Sequence, residues 1–324
     1  MAKKTTRPKG TIKRDTPFPT PEPSVKIPAQ PTLSKEEQSK YNEVLAHFKS
    51  LEGVHENEKS KTIVPLSLSE KAWLSKECFL RYLRATKWNV PHCTKRIEAT
   101  LVWRRTFGVD PTKDLTPDMI AEENETGKEV ILGFDNDSRP CLYLKPGRQN
   151  TKPTHRQVQH LVFMLERVID FMVPGQDQLA LLIDLAPHPI GKHNKMPSLS
   201  LGREVLNILQ DHYPERLGKA LLTHIPRLAQ IFMKLIWAFI DPLTREKIVF
   251  NEPFPNYVPS NQLDAEFEGE VLFEYNHEKY WPALVAMAKA RHEYFLRRHE
   301  ELGGSVGHSE SDLREGFVDE KLFE

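Results

Sequence analysis

From Tyr213 the chain reads Tyr-Pro-Glu-Arg-Leu-Gly-Lys219, and from Ile240 it reads Ile-Asp-Pro-Leu-Thr-Arg-Glu-Lys247. Between these segments stand a short strand-like run, Ala220 to Thr223, and a longer apolar run from Arg227 to Ile240. In the longer run, large apolar side chains recur at helical spacing and leave almost no polar face for water. Such a helix is either buried on all sides or placed against an apolar partner.

Two further motifs lie upstream. Residues 79–89 read Phe-Leu-Arg-Tyr-Leu-Arg-Ala-Thr-Lys-Trp-Asn, and Trp103-Arg-Arg follows. In order and spacing, the motifs resemble those of the CRAL-TRIO lipid-binding family, which includes the fungal phosphatidylinositol transfer proteins. The resemblance covers roughly residues 70–275 and is closest to the branch associated with azole and drug resistance, which handles phosphatidylinositol and sterols. It implies an α/β fold in which a small helical domain precedes a lipid-binding domain with a mixed central sheet and a movable gate helix.

Composition and charge narrow the class of protein. The 324 residues are 39% hydrophobic and 28% charged, which suits one large globular unit or two packed ones. The formal net charge of zero argues against nucleic acid as the main partner. Three scattered cysteines give neither a disulfide framework nor a zinc site, so a reduced cytosolic compartment is the economical interpretation.

No apolar run approaches the ~20 residues of a membrane span, and the first residues lack the apolar core of a signal peptide. We therefore expect a cytoplasmic protein with transient, peripheral membrane contact. The endoplasmic reticulum, lipid droplets and the plasma membrane remain open as its membrane of residence. The sequence does not indicate an oligomeric state.

The pattern of apolar residues predicts the domain organisation. Residues 1–34 are rich in proline and basic residues and predict a disordered tail. Helical stripes, including one from Leu68 to Lys87, predict a helical domain over 35–125, whose first helix Ser34 caps together with Glu37. The lipid-binding domain is expected over 126–275, a C-terminal helix over 276–302 and a flexible tail over 303–324.

Within 126–275 the period changes to that of strands. Strands are predicted at Val130–Phe134 and Cys141–Leu144, joined as a hairpin, and at Leu179–Ile183, a continuous apolar run typical of the centre of a sheet. Helices are predicted at Arg156–Met172 and from Gly202 to His212, and a final strand at Lys247–Phe250. The last helix, from about Tyr280 to Glu301, is expected to stop at Gly303-Gly304.

The resemblance implies that Glu215 and Lys247, 32 residues apart, contact an inositol phosphate headgroup. The chemistry is suitable, because a carboxylate accepts hydrogen bonds from ring hydroxyls and a cation pairs with the phosphodiester. An ordinary salt bridge at a helix–strand corner is the structural alternative.

The resemblance also places Lys87 at the family's second basic position. The residue before it, usually arginine in better-known members, is Thr86 here. Thr244 and Asp241, in the turn before Lys247, are weaker headgroup candidates. Turn capping explains these two residues equally well.

The resemblance implies that one face of the strand at 179–183 lines a lipid cavity. Members that bind phosphatidylcholine carry Ser and Thr on that face, whereas this chain has Leu179, Leu181 and Ile183. Weak or absent phosphatidylcholine binding and a sterol as second ligand are therefore expected, although a better-packed core is an alternative. The cavity mouth and gate are assigned to Phe232, Leu235, Ile236, Phe239 and Ile240, with Trp237 at the interfacial side.

No catalytic residue is assigned, because no nucleophile elbow, phosphate-binding loop or catalytic carboxylate pair stands out, and the 13 histidines lack metal-ligand spacing. We expect a non-enzymatic protein without a cofactor that binds phosphatidylinositol and transfers it between membranes. The alternative is a lipid-sensing adaptor that presents phosphatidylinositol to a lipid kinase or another signalling partner.

Overall fold

The computed structural model describes residues 11–109, 115–191, 199–227, 230, 237, 240 and 242–318. Buried apolar side chains in these ranges form two clusters. The smaller cluster is formed mainly by the N-terminal helices. The larger one includes both Leu142 and Tyr143, neighbours on one strand, and so occupies both faces of the central sheet.

The N-terminal part is helical, and side-chain caps determine where its helices begin. Ser34 and Glu37 form the predicted capping box. The stripe from Leu68 to Lys87, predicted as continuous, is divided because the Ser75 hydroxyl accepts a hydrogen bond from the Cys78 N–H and starts a new helix. The elements are α1 (Lys35–Ser50), a hairpin of β2 (Val54–His55) and β3 (Ile63–Val64), α2 (Leu68–Trp73), α3 (Lys76–Ala85), α4 (Val90–Phe107) and α5 (Pro117–Ala121).

The central sheet is mixed, as predicted. Its strands are β4 (Glu129–Phe134), β5 (Pro140–Leu144), β6 (Leu179–Asp184), β7 (Leu217–Thr223) and β8 (Ile248–Phe250). They lie in the order β4-β5-β6-β7-β8. The hairpin of β4 and β5 is antiparallel, and β5 to β8 run parallel. The apolar strand β6 therefore occupies the centre, which confirms its prediction as a buried strand.

Helices cover this sheet and connect its parallel strands. They are α6 (His155–Asp170), α7 (Leu199–His212), the short α8 (Pro242–Glu246) and the long α9 (His277–Glu301). Helix α9 begins within the predicted range 276–302 but before the predicted start near Tyr280, because the Asn276 side chain caps it by accepting a hydrogen bond from the Lys279 N–H. It ends before Gly303 and Gly304, whose positive φ values of 99° and 63° confirm the predicted glycine stop.

The N-terminal segment differs from the predicted disordered tail in its described part. Strand β1 (Ile12–Arg14) pairs in parallel with β9 (Val271–Phe273). The Phe18 N–H donates a hydrogen bond of 2.7 Å to the Leu132 carbonyl, and Pro17 is buried. Although the segment has few apolar residues, these pack against the domain that contains the central sheet, which composition alone does not predict.

The C-terminal segment, residues 303–318, also differs from the predicted flexible tail. It carries the short helix α10 (Glu310–Arg314), and Val306 and Leu313 are buried. Val306 belongs to the same apolar cluster as the N-terminal helices. The segment therefore packs against the helical domain.

Candidate functional site

Glu215 and Lys247, the pair that the sequence analysis singled out, form an ion pair. Lys247 Nζ lies 3.2 Å from Glu215 Oε2, and each side chain is 21% exposed. Glu215 lies two residues before β7, and Lys247 lies one residue before β8. Because β7 and β8 are adjacent and parallel, their N-terminal ends lie side by side. This topology brings Glu215 and Lys247 together.

The backbone at Glu215 is held in an unusual conformation. Its φ is +59°, a left-handed value that non-glycine residues rarely adopt. Gln178 Nε2 donates to its carbonyl at 3.4 Å, and the following Arg216 places its guanidinium 2.9 Å from the Asp177 carbonyl. The segment before β6 thus fixes the segment before β7, and the Glu215 carboxylate stays beside Lys247.

The other headgroup candidates have different positions. Thr244 lies in α8, and its carbonyl accepts a hydrogen bond of 3.1 Å from the Lys247 N–H, so its backbone contributes to the turn before β8. Asp241 lies outside the described residues. Lys87 is exposed just after α3, with a φ of +53°. Among the described contacts no ion pair joins Lys87 to Glu215, so its headgroup role stays a prediction.

The predicted cavity face of β6 is apolar in the structure. Leu179 is 2% exposed, whereas Leu181 and Ile183 are half-buried. Paired residues of neighbouring strands point to the same side of a sheet. The residues paired with these two positions across the sheet are Leu142, Ala220 and Ile248 beside Leu181, and Leu144, Leu222 and Phe250 beside Ile183. This face therefore presents hydrocarbon and no hydroxyl group at these positions.

Most of the predicted gate, namely Phe232, Leu235, Ile236 and Phe239, lies outside the described residues. Ile240 is 9% exposed, and its carbonyl accepts a hydrogen bond of 2.9 Å from Arg245 Nε. The half-buried Trp237 has its ring centre 6.0 Å from that of Phe250, which is 39% exposed. These side chains place exposed aromatic surface beside the end of β8.

Three further motif residues, Trp103, Arg104 and Tyr213, join the helical domain to the domain that contains the central sheet. The Trp103 ring stacks on His212 with centres 4.0 Å apart. Arg104 donates to Glu166 at 2.9 Å, and the Tyr213 hydroxyl donates to the same oxygen at 2.6 Å. Burial alone would raise the pKa of Glu166, but Arg104 and the hydrogen bonds bring it to about 2. These motif residues therefore serve domain packing.

Sequence reasoning missed a buried ionic cluster next to the Glu215–Lys247 pair. Arg216 donates to Glu310 at 3.3 Å, and Arg81 donates to the same carboxylate at 2.8 Å. Arg81 and Arg216 stand in the motifs that the sequence analysis quoted. Glu310 lies in the segment predicted to be flexible, so no local pattern could pair it with either arginine.

The described residues contain neither a metal-binding cluster nor a membrane-spanning helix. No group of three or more His, Cys, Asp or Glu side chains is placed to hold a metal ion. No described helix combines the length and the apolar character needed to cross a bilayer.

Comparison with known proteins gives the family. The model for the CRAL/TRIO domain matches residues 124–269, and the model for the CRAL/TRIO N-terminal domain matches residues 40–99. A CRAL-TRIO domain-containing protein of Schizosaccharomyces pombe is 50% identical over 301 residues, which are 92% of this chain and 29% of that longer protein. The phosphatidylinositol transfer protein PDR17 of Saccharomyces cerevisiae is 43% identical over 300 residues, 87% of this chain and 84% of that protein. A crystal structure of Sfh5 aligns with a TM-score of 0.47 at 16% identity and covers 70% of this chain and 84% of that one.

Fold and site together define an α/β protein with a helical N-terminal domain, an apolar sheet face and a charged corner at the starts of two strands. The chain belongs to the CRAL-TRIO family, because a relative 43% identical matches most of both proteins and both family models fit. This confirms the resemblance and the predicted fold class. Its relatives include proteins named for phosphatidylinositol transfer rather than for a reaction, and family membership confirms that the chain is not an enzyme.

Proposed function

We propose that the protein binds phosphatidylinositol and carries it between membranes, with a sterol as second ligand and with phosphatidylcholine bound weakly or not at all. The observation that carries the proposal is the Glu215–Lys247 pair, 3.2 Å apart and one-fifth exposed at the starts of β7 and β8. The printed name of PDR17, a phosphatidylinositol transfer protein, supports the same conclusion.

The pair suits an inositol phosphate headgroup. Lys247 offers three N–H donors to the phosphodiester, and Glu215 offers acceptors to the ring hydroxyls. The two groups pair with each other, so neither stands unpaired in a partly buried position. A headgroup that enters would replace this one contact with several charge-assisted hydrogen bonds.

The acyl chains require an apolar surface, and the β6 face with Leu181 and Ile183 supplies one. Each buried methylene contributes about 0.8 kcal/mol, so a bare two-chain lipid in water would cost on the order of 20 kcal/mol. A closed apolar cavity that opens at the membrane avoids this cost. One lipid replaces another there, so exchange requires no energy source, and a cytoplasmic protein that touches membranes only transiently is sufficient.

Transfer of radiolabelled phosphatidylinositol between vesicles tests the proposal. The wild type should transfer it, and the double variant Glu215→Ala with Lys247→Ala should lose transfer at least tenfold while it remains folded. Lys289→Ala with Glu293→Ala is the matched control, because this lysine–glutamate pair lies on the exposed surface of α9. Unchanged transfer by the first double variant would overturn the headgroup assignment.

The same assay separates transfer from the adaptor alternative. An adaptor that only presents lipid to a kinase would bind phosphatidylinositol without moving it between vesicles. Mass spectrometry of lipids that co-purify with the protein identifies the ligands directly. Phosphatidylinositol bound but not transferred would favour the adaptor.

A further inference from the structure

The C-terminal segment, residues 303–318, is docked through two carboxylates. Glu310, the first residue of α10, has a side chain 6% exposed and lies 2.8 Å from Arg81 and 3.3 Å from Arg216. Glu77, on α3, accepts hydrogen bonds from the Ser309 hydroxyl at 2.8 Å and from the Glu310 N–H at 2.6 Å. Ser309 therefore lies where the segment meets the helical domain.

The Ser309 hydroxyl has two roles in this docking. It donates to Glu77, and it caps α10 by accepting a hydrogen bond of 3.2 Å from the Ser311 N–H. Ser309 itself is half-buried and stands immediately before α10, a helix of only five residues. Segments of this kind open locally more readily than a core helix.

The sequence around this hydroxyl suits a particular class of enzyme. Residues 309–312 read Ser-Glu-Ser-Asp, which puts acidic side chains one and three positions after Ser309. A protein kinase whose substrate groove is basic selects serines followed by carboxylates, because complementary charge orients the peptide. When the segment opens, Ser309 has the surroundings that such a kinase requires.

We propose that Ser309 is a phosphorylation site for a serine kinase that selects acidic substrates, and that the phosphate releases the C-terminal segment from Glu77. In the reaction the Ser309 oxygen forms a bond to the γ-phosphorus of ATP. The bond from that phosphorus to the β,γ-bridging oxygen breaks and ADP leaves, while the hydroxyl proton passes to the kinase. The product can no longer donate a hydrogen bond to Glu77, and it adds a charge of about −1.5 to −2 there.

Repulsion between the phosphate on Ser309 and the Glu77 carboxyl group should move the C-terminal segment away from α3. A phosphate at a helix N-terminus is usually favourable, but α10 has five residues and only a small dipole. The buried Arg81 is already paired with Glu310 and Asp177. Burial raises the pKa of Glu77 and the Glu310 carboxylate raises it further. The surroundings of Glu77 therefore already disfavour negative charge. Release of the segment would separate Glu310 from Arg216, the residue after Glu215.

Casein kinase 2 and ATP, applied to the purified full chain, test the site. Peptide mapping by mass spectrometry should find phosphate on Ser309 in the wild type and in Ser311→Ala, and none at that position in Ser309→Ala. Phosphate on Ser311 alone, or on neither serine, would overturn the proposal.

Amide hydrogen exchange tests the release without any lipid. In the phosphorylated protein, exchange in residues 303–318 should be at least tenfold faster than in the untreated protein. Ser305→Glu is the matched control, since it adds negative charge at an exposed serine of the same segment and should leave exchange within about twofold of the wild type. Unchanged exchange after stoichiometric phosphorylation of Ser309 would overturn the proposed release, and so would equal acceleration in Ser305→Glu.

Discussion

Glu310 is joined to Arg216, 94 residues earlier in the chain, by two hydrogen bonds of 3.3 Å. Arg81, from the helical domain, binds the same carboxylate. Burial alone would raise the pKa of Glu310, but Arg216 and Arg81 hold it well below its usual range. This one carboxylate therefore joins the helical domain to the start of β7, where the Glu215–Lys247 pair lies.

Removal of this carboxylate should destabilise the protein strongly. Glu310→Ala leaves Arg216 and the 2%-exposed Arg81 side chain without their shared partner, and loss of one member of a buried ion pair costs about 3–5 kcal/mol. Urea unfolding measures the difference. Glu301→Ala is the control, because Glu301 is 48% exposed and solvent screens its pairs with Arg297 and Arg298, so they contribute little to stability. Equal losses in the two variants would contradict a structural role for the cluster.

Glu215→Gly should reduce phosphatidylinositol transfer without reducing the stability of the fold. The glycine relieves the φ of +59°, a conformation that costs a non-glycine residue about 1–2 kcal/mol, although it also adds freedom to the unfolded chain. We expect the free energy of unfolding to stay within about 1 kcal/mol of the wild type. Phosphatidylinositol transfer should fall as far as in Lys247→Ala. Normal transfer by a stable Glu215→Gly protein would show that its carboxylate does not serve the headgroup.

The pH dependence of stability should show a buried carboxyl group at Glu129, which lies 3.5 Å from His160. Burial raises the pKa of Glu129 to about 8 from 4.5, and burial lowers the pKa of His160 well below its usual range. Between pH 4.5 and 8 the unfolded glutamate is ionised while the folded one keeps its proton. The stability due to this group is therefore complete below pH 4.5 and is lost towards pH 8, by at most about 1.4 kcal/mol per pH unit.

The lowered pKa of His160 makes stability rise with pH up to about 6.5, and this contribution is common to the wild type and Glu129→Gln. Because Glu129→Gln cannot ionise, its unfolding free energy should increase relative to that of the wild type between pH 5 and pH 8. Urea titrations at several pH values measure the two slopes, and the exposed Glu293→Gln, whose side chain is 63% exposed, serves as control. Parallel curves for the wild type and Glu129→Gln would contradict the raised pKa.

The elements that the sequence predicted well are those whose signal is local. Strand β6 is a continuous apolar run, and its central position follows from burial on both faces. The Ser34 cap and the Gly303 stop are each contained within a few residues. Glu215 and Lys247 were paired by motif spacing, and the structure places their side chains in contact.

The terminal segments were predicted poorly because their partners are distant in sequence. Arg291 on α9 lies 4.7 Å from the Phe171 ring centre and 5.0 Å from that of Phe317, and it also donates a hydrogen bond to the Pro19 carbonyl. One buried arginine thus contacts both ends of the chain. Low hydrophobicity in a terminal segment indicates a small contribution to the core, but it does not reveal such specific contacts.

The apolar face of β6 should decide which lipids are excluded. Leu181 is half-buried and stands between Leu142 and Ala220, so a choline phosphate at this face would find no hydrogen-bond donor among these side chains. An unpaired buried phosphate carries a desolvation penalty of several kcal/mol. Leu181→Thr supplies a hydroxyl and should raise the fraction of phosphatidylcholine among co-purified lipids severalfold.

Val249→Thr is the matched control for Leu181→Thr. Val249 is also half-buried, but its register with Leu221, which pairs with Leu182, places it on the opposite face of the sheet. It therefore tests whether any new hydroxyl in the sheet changes the bound lipid or only one on the proposed cavity face. Lipid mass spectrometry and vesicle transfer of phosphatidylcholine measure both variants. If phosphatidylcholine is already the main lipid of the wild type, or if Val249→Thr increases it equally, the hydrocarbon at Leu181 does not determine selectivity.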